Sequence, residues 1–466
     1  MTRPLWTPEE LAATLGAPTV AMTQAATGVS IDTRTLKAGD LFIAIKGDTH
    51  DGHDHVARAF AAGASAALVG RDVGGGPLFV VENSLRGMER LGVAARARSG
   101  ARILAITGSV GKTSAKEMAR VALGAVGPTH ASAASFNNHW GVPLTLARLP
   151  ADDAYGVFEI GMNHAGEITP LVGFVRPHVA LVTTIGPVHI EHFGSLAAIA
   201  DAKAEIFSGL APGGAAVLNR DAPQYERLAA SARARGRVAT FGAGGDATLI
   251  VCEPDGEGSR VEADIAGTRL GFRLGAPGRH MAENAVGVLL ACYLLGASIE
   301  ACAAALAAFG PAKGRGERFT LAAVDGPLTL IDESYNANPV SMRAALALLG
   351  AAKPGPGGRR VAVIGDMLEL GAEGAALHAG LAADLEAQGV DLLFGAGPLT
   401  RALFDAAPAA MRGGHAGRAQ DLHSAVIAAL RAGDVVMIKG SNGSRMGPLA
   451  LALRESFKPA TSGPGL

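Results

Sequence analysis

Thr107-Gly108-Ser109-Val110-Gly111-Lys112-Thr113-Ser114 follows the apolar run Ile103-Leu104-Ala105-Ile106 and opens a segment, 114–123, of helical character. A buried strand, a glycine-rich turn and a helix N-terminus in that order gather backbone N–H groups and the positive end of a helix dipole around one point, which suits a polyphosphate. Lys112 is placed to neutralise the β- and γ-phosphates, and Thr113 to reach Mg²⁺. The standard spacing puts a glycine five residues before the Gly-Lys pair; here that position is Ile106, so the loop is a shortened P-loop.

Outward from this loop the pattern repeats. Apolar runs at 154–160, 179–184 and 215–219 alternate with helical segments, which predicts a parallel sheet covered on both faces. Residues 247–274 alternate in polarity between glycine-containing turns and read as a small antiparallel insertion, followed by a helix over 281–295. Before the P-loop, strand-like 40–45, 66–69 and 78–81 with intervening helices make a small α/β unit. Beyond Gly310-Pro311-Ala312-Lys313-Gly314-Arg315-Gly316, a glycine-rich hinge, runs at 328–331, 361–364, 392–394 and 435–438 alternate with helices in a doubly wound pattern. The predicted fold is α/β with three domains: 1–98, a central P-loop parallel-sheet domain 99–312, and a Rossmann-like domain 313–466. Clefts between such domains are where ligands bind.

Composition narrows the class. The 466 residues are 49% hydrophobic, enough for several cores, and 63 are glycine, about twice the usual share, as fits many short strand–loop–helix units. Lys plus Arg number 41 against 42 Asp plus Glu, so no basic excess tracks a nucleic-acid backbone. Mean hydropathy is positive, yet the longest apolar stretch, 285–297, falls short of the ~20 residues that span a bilayer. The first residues lack the apolar core of a signal peptide and lead into a helix start at Thr7-Pro8-Glu9-Glu10. Cys252, Cys292 and Cys302 form no Cys-x-x-Cys pair and match neither a disulfide framework nor a zinc site, so a reducing cytoplasm is expected.

A nucleotide site in a parallel sheet also needs polar residues at neighbouring strand ends. Glu159 closes the run Tyr155-Gly156-Val157-Phe158, and His189 follows a strand by a Gly-Pro turn; each alone reads as a structural polar residue more readily than as a metal ligand. Lys203, in Ala202-Lys203-Ala204-Glu205, reads alone as a solvated helical lysine. The cluster His50-Asp51-Gly52-His53-Asp54-His55 lacks tetrahedral ligand spacing and is assigned to a loop entering a helix, with Asp51 or Asp54 as turn or cap residues. Asp332-Glu333-Ser334-Tyr335-Asn336-Ala337-Asn338-Pro339 leaves a strand with several hydrogen-bonding groups, for which capping and ligand binding remain equally open.

Taken together the chain resembles the Mur ligase family over nearly its whole length. The resemblance rests on Asp32-Thr33-Arg34, the 39–44 run Gly-Asp-Leu-Phe-Ile-Ala and Asp51-Gly52-His53-Asp54 in the first domain. In the second it rests on the shortened P-loop, Asn137-Asn138, Gly141-Val142-Pro143-Leu144-Thr145, Glu159-Ile160-Gly161-Met162-Asn163, His189 and Lys203. In the third it rests on Gly314-Arg315-Gly316-Glu317, 332–339, Gly365-Asp366-Met367-Leu368-Glu369-Leu370-Gly371 and Lys439-Gly440-Ser441. Ser334 to Pro339 and Gly365 to Gly371 point within the family to the members that add a dipeptide.

The resemblance implies an ATP-dependent, ADP-forming amide ligase of peptidoglycan precursor synthesis. It would activate the terminal carboxylate of a UDP-muramoyl tripeptide as an acyl phosphate and pass it to the amine of D-alanyl-D-alanine. By the same resemblance Gly108, Ser109, Val110, Gly111, Lys112, Thr113 and Ser114 hold ATP, Asn284 approaches the adenine, and Arg315 and Asp332 reach the nucleotide from the third domain. Two Mg²⁺ ions are implied, one on Thr113 and Glu159 and one on Glu159, His189 and a carbamylated Lys203. Lys112, Glu159, His189 and Lys203 form the catalytic set. Asp32, Thr33 and Arg34 are assigned to the uridine nucleotide, Asn137 and Asn138 to the muramoyl-peptide, and Tyr335, Asn336 and Asn338 to the dipeptide or nucleotide. A cytoplasmic monomer without nucleic-acid partner or membrane span is expected. Three departures stand out: Thr33 where the family usually has Ser, Met281 where His280 is commonly followed by Asn, and Asn442 where an Arg often follows Lys-Gly-Ser. The alternatives are a ligase adding the third amino acid, though no Asp-Asn-Pro-Arg stretch is present, a folate-type glutamate ligase, a plain kinase, and a nucleotide-gated binding protein.

Overall fold

Apolar runs that alternate sides of a strand explain why this chain folds as sheets sandwiched by helices. In the computed structural model, which describes residues 4–18, 22–133 and 135–457, Ile103 and Ala105 of the strand Arg102–Thr107 join the core on one face, while Leu104 and Ile106 join that on the other. The third domain repeats this: Ile331 and Ile364 face one core, Leu330 and Val363 the opposite one.

Among the described residues the strands form three sheets. The first is parallel, in the order Gly28–Ser30, Asp40–Ile43, Ala66–Val69, Leu78–Val80. In the second, Arg102–Thr107 lies between Val179–Val182 and Tyr155–Glu159, with the chain leaving it towards one side and returning on the other. That makes its carboxyl end a topological switch point, the usual ligand position of an open parallel sheet. The predicted antiparallel insertion is present as Ala247–Asp255, Gly258–Ile265 and Thr268–Leu274. It extends the main sheet, because Phe241 pairs in parallel with Ala247. The third sheet is parallel except at one edge, where Glu317–Ala323 runs antiparallel to Gly326–Glu333. The sequence reading missed that edge strand, which begins directly at the hinge and carries Glu317 and Arg318 among its apolar residues.

The domains meet in two different ways. A single apolar core containing Trp6, Leu15 and Leu91 of the first domain continues into Leu146, Leu149 and Ile168 of the second. Trp6 Nε1 donates to Ala147 O at 2.8 Å, and the Arg96 guanidinium donates to the carbonyls of Val175 and Arg176. The third domain faces the second instead across a cavity of mixed polar and apolar lining, with Gly314 (φ 68°) and Gly316 (φ 101°) in the hinge. No helix among the described residues is long and apolar enough to cross a membrane.

Candidate active site

The P-loop conformation depends on its glycines. Gly108 (φ 147°) and Gly111 (φ 86°) adopt backbone angles that L side chains avoid; a Cβ on Gly108 would collide with the Thr183 side chain, and one on Gly111 would stand 2.8 Å from Asn284 Nδ2. Thr183 Oγ1 donates to Val110 O at 2.6 Å, and Ser109 Oγ both accepts from Gly186 N and donates to Gly186 O, which pins the loop to the next strand end. The helix Lys112–Gly124 starts on Gly111 with no side-chain cap, so its first N–H groups are left for a ligand. Lys112 arcs back, donating from Nζ to Gly108 O at 2.7 Å. Burial, with help from the nearby Arg315 charge, holds its ammonium below the usual lysine range. The loop is not an exposed turn, since Ser109, Thr113 and Ser114 are all buried.

Glu159 ends its strand beside this loop. Asn137 Nδ2 donates to Glu159 Oε1 at 2.7 Å, and Ser132 Oγ accepts from Glu159 N, whereas the buried Oε2 has no hydrogen-bond partner. An orphaned buried carboxylate oxygen is costly unless something positive meets it. Lys203, read from the residues alone as solvated, is only 1% exposed, and no acceptor among the described residues pairs with its ammonium. Burial first, and Lys112 second, push its amine well below the usual range. The corrective signal was present in the sequence: Lys203 stands four residues after Ile199 and three after Ala200, both buried, so it belongs to the apolar face of Leu196–Ala204. His189 sits in the left-handed region (φ 53°) on the cavity wall, its Nδ1 2.5 Å from Glu369 Oε2 of the third domain at an angle outside hydrogen-bond geometry. Burial lowers its pKa. Among the described residues no three His, Cys, Asp or Glu side chains form a ready cation cage. A hard cation here would draw on Glu159 Oε2, the Thr113 hydroxyl and ligand oxygens, and an oxygen donor on Lys203 would suit it where an ammonium does not.

A cavity of about 510 Å³ joins these groups, except Lys203, which does not line it, to the third domain. Ser109 to Ser114, Asn137, Glu159, His189 and Asn284 line it from one side, and Arg315, Tyr335, Asn336 and Asn338 from the other. The Arg315 guanidinium stacks on the Tyr335 ring at 4.0 Å. Two candidates are turned to other work: Asn338 Oδ1 caps the helix Pro339–Ala351 through Ser341 N, and the Asp332 carboxylate accepts from Ser334 N, away from the cavity wall. Lys439 and Glu333 were quoted only within motifs that carry the resemblance and were given no site role, yet both line the cavity, ion-paired at 3.1 Å, with Lys439 Nζ also donating to Asn336 O. The signal that marked Glu159, a charge closing an apolar strand, applies equally to both.

Asp32 lines a second cavity, of about 860 Å³, between the first and second domains, and Arg34 clamps its carboxylate through Nε and Nη2, lowering its pKa. Thr33 and Arg34 do not line it. Asn138 is also elsewhere, its Oδ1 accepting from Trp140 N and Gly141 N at the start of Gly141–Ala147. In the histidine segment, His53 is buried between Asp51 and Gly70 N, a structural role as read from sequence.

Three family models match this chain in succession: "Mur ligase family, catalytic domain" at residues 25–99, "Mur ligase middle domain" at 106–292, and "Mur ligase, glutamate ligase domain" at 314–442. The UDP-N-acetylmuramoyl-tripeptide–D-alanyl-D-alanine ligase of Escherichia coli is 38% identical over 80% of this chain and 82% of its own. A crystal structure of MurF from Acinetobacter baumannii superposes with a TM-score of 0.84 at 28% identity, covering 97% of this chain and 99% of that one. MurF ligase from Thermotoga maritima, solved in complex with ADP, has the same fold, with a TM-score of 0.76 at 23% identity over 92% of this chain and 97% of that one.

Proposed function

Because the chain belongs to the Mur ligase family, we propose that it carries out the reaction for which its Escherichia coli relative is named, joining D-alanyl-D-alanine to UDP-N-acetylmuramoyl-tripeptide at the expense of ATP. The observation that carries this reading is the single cavity shared by the P-loop, the orphaned Glu159 oxygen and the third-domain face. A kinase needs no third domain to present an amine, and a nucleotide switch needs no such enclosed second face.

A carboxylate is a poor electrophile, so the tripeptide's terminal carboxylate first takes the γ-phosphoryl group of ATP. Backbone N–H groups of Val110 to Thr113 and the Lys112 ammonium hold the phosphates and neutralise charge as it shifts during transfer, while Ser109 N–H is spent on Thr184 O. Asn284, against Gly111, takes the adenine side, and Arg315 approaches the nucleotide from the third domain. The amine of D-alanyl-D-alanine then attacks the acyl phosphate, and the tetrahedral intermediate expels inorganic phosphate, leaving an amide. Enclosure between two domains keeps water from the acyl phosphate. Two Mg²⁺ ions, held by Thr113 with Glu159 and by Glu159 with His189 and a carbamylated Lys203, would supply charge neutralisation on the phosphates. The fit of those residues rests on the unpartnered Glu159 oxygen and on the disfavoured Lys203 ammonium, since carbamate formation needs a neutral amine.

Asp32, Thr33 and Arg34 are assigned to the uridine nucleotide, with the second cavity beside Asp32 as its seat, and Asn137 to the muramoyl-peptide. Tyr335 and Asn336 serve the dipeptide or nucleotide; Asn138, Asp332 and Asn338 support backbone positions around these sites. The units 1–98, 99–312 and 313–466 then divide the work into nucleotide-sugar binding, ATP chemistry and amine delivery. The enzyme acts as a cytoplasmic monomer. Mass spectrometry of the product from purified protein, ATP, Mg²⁺, D-alanyl-D-alanine and UDP-muramoyl tripeptides carrying diaminopimelate or lysine tests the reading. Formation of a UDP-linked pentapeptide supports it, whereas ATP hydrolysis independent of either substrate overturns it.

A further inference from the structure

The loop 366–370 of the third domain meets the helix Ile190–Phe193 of the second across the domain boundary. It is held rigidly at its base: Thr400 N donates to Asp366 Oδ1 at 2.8 Å, Met367 N donates to His378 Nε2 at 2.9 Å, and Leu368 N donates to Ser441 Oγ at 2.9 Å. Its next residue, Glu369, has φ 61°, and the residue it faces, His189, has φ 53°. Non-glycine residues held in the left-handed region carry strain that persists only where the surroundings fix it, and such residues gather at functional sites. Here two of them meet across one domain boundary, carboxylate to imidazole at 2.5 Å. Around them Glu191 N approaches Glu369 O at 3.4 Å, and Ile190 packs on the apolar core of the third domain.

We propose that Glu369 is a positioning residue for His189: its carboxylate, 2.5 Å from the otherwise unpartnered Nδ1 but out of line with it, turns to accept from Nδ1–H when the site is loaded, so that Nε2 keeps its lone pair for a ligand, and does so only when the third domain is docked. This rests on the assignment of His189 to the metal side of the ligase site. A carboxylate on one ring nitrogen fixes the tautomer and raises the basicity of the other. Because the carboxylate comes from the domain beyond the hinge, the second cation position is completed by docking, and phosphoryl transfer is coupled to delivery of the amine-binding face. A rim contact with no such role would contribute little.

The test is Mn²⁺ binding, followed by electron paramagnetic resonance, to the full-length protein with a non-hydrolysable ATP analogue and the UDP-tripeptide. Glu369→Gln keeps the shape of a half-exposed side chain, and an unchanged melting temperature checks that the fold is intact. Glu369→Gln is expected to weaken the second Mn²⁺ about 10- to 100-fold, to lower kcat, and to leave KM for D-alanyl-D-alanine within about twofold. In a His189→Ala background Glu369→Gln should add nothing further, because it acts through the removed ring. Mn²⁺ affinity within about twofold of the parent, or fully additive losses in the double variant, overturns the inference. A parent that makes no amide but whose Mn²⁺ binding still depends on Glu369 through His189 sinks the proposed reaction and sustains this coupling.

Discussion

Replacing Lys203 with methionine should make the protein more stable and inactive at once. The side chain is 1% exposed, lacks a counter-charge and feels the Lys112 cation, so the folded state disfavours its ammonium. The sign follows from linkage. The unfolded chain binds the lysine proton below about pH 10.4, while the folded chain, with a depressed pKa, does not. Stability from this group is therefore complete above about pH 10.4 and is lost, at about 1.4 kcal/mol per pH unit, as the pH falls towards the folded value. Methionine fills a similar volume without that proton, and exchanging buried charges for packed apolar groups commonly gains about 1–4 kcal/mol. In a domain of this size each kcal/mol raises the melting temperature by about 2–4 °C. Calorimetry at pH 7.5 in bicarbonate-free, metal-free buffer should show that gain, and it should shrink towards pH 10. Turnover should fall at least about a hundredfold, as when a preorganised charge stabiliser is removed. Lys203→Ala, which leaves space, should recover part of its activity with short carboxylic acids. A Lys203→Met variant with parental kcat refutes the catalytic role; one that is less stable refutes the charge argument.

Lys112→Ala should lower turnover at least about a hundredfold with an unchanged far-ultraviolet spectrum; near-parental kcat would remove the phosphate assignment. Gly111→Ala, with its Cβ 2.8 Å from Asn284 Nδ2 at φ 86°, should destabilise by about 1–3 kcal/mol and weaken ATP binding, read by calorimetric titration. Burial of the His130 ring, whose Nε2 meets Thr145 O at 2.8 Å, lowers its pKa to about 4. The folded state thus resists a proton that the unfolded state accepts below about pH 6.5, and stability drains as the pH falls from there to 4. With the ring's partial exposure allowed for, about 2 kcal/mol is involved, and His130→Gln should flatten that limb of a urea-unfolding pH series. Arg315→Ala should raise KM for ATP and leave solution scattering less compact with ATP analogue and UDP-tripeptide than for the parent; equal radii would remove the bridging role.

What could be read from the sequence was whatever repeats locally. Strand–turn–helix order around Ile103 to Leu123 fixes the parallel sheet and the P-loop, because a buried strand and a phosphate-binding turn each announce themselves within ten residues. Positions 66–69 and 215–219 match their strands to the residue for the same reason. Lys203 needed a helical projection rather than a linear reading, since its neighbours Ala202 and Ala204 conceal that it shares a face with Ile199. Lys439 and Glu333 are more than a hundred residues apart and become a pair only because their strands are adjacent in the third sheet. Asn138 and Asn338 show the converse limit: an asparagine that opens a helix and one that meets a ligand look alike until the acceptor geometry is known.

The contrast between the two domain boundaries bears on how the reaction can turn over. Opening the first from the second would expose Trp6, Leu91, Leu146 and Leu149 to water, and each fully buried large side chain contributes roughly 1.5–3 kcal/mol. Opening the third from the second would expose the mixed lining of the cavity, the contact of Ile190 with the third-domain core and the His189–Glu369 contact, a smaller apolar area than the continuous core that joins the first two domains. Motion during turnover is therefore expected at the glycine hinge before Glu317, with the second cavity keeping its shape if the first opens. If the nucleotide-sugar binds beside Asp32 as proposed, it would stay in place while ADP and the amine exchange through the other side. Under the proposed reaction the order follows from where the apolar area lies: the long substrate would be seated on the first two domains, which share one core, and the face that brings Arg315, Tyr335 and Glu369 would close last over a preformed P-loop.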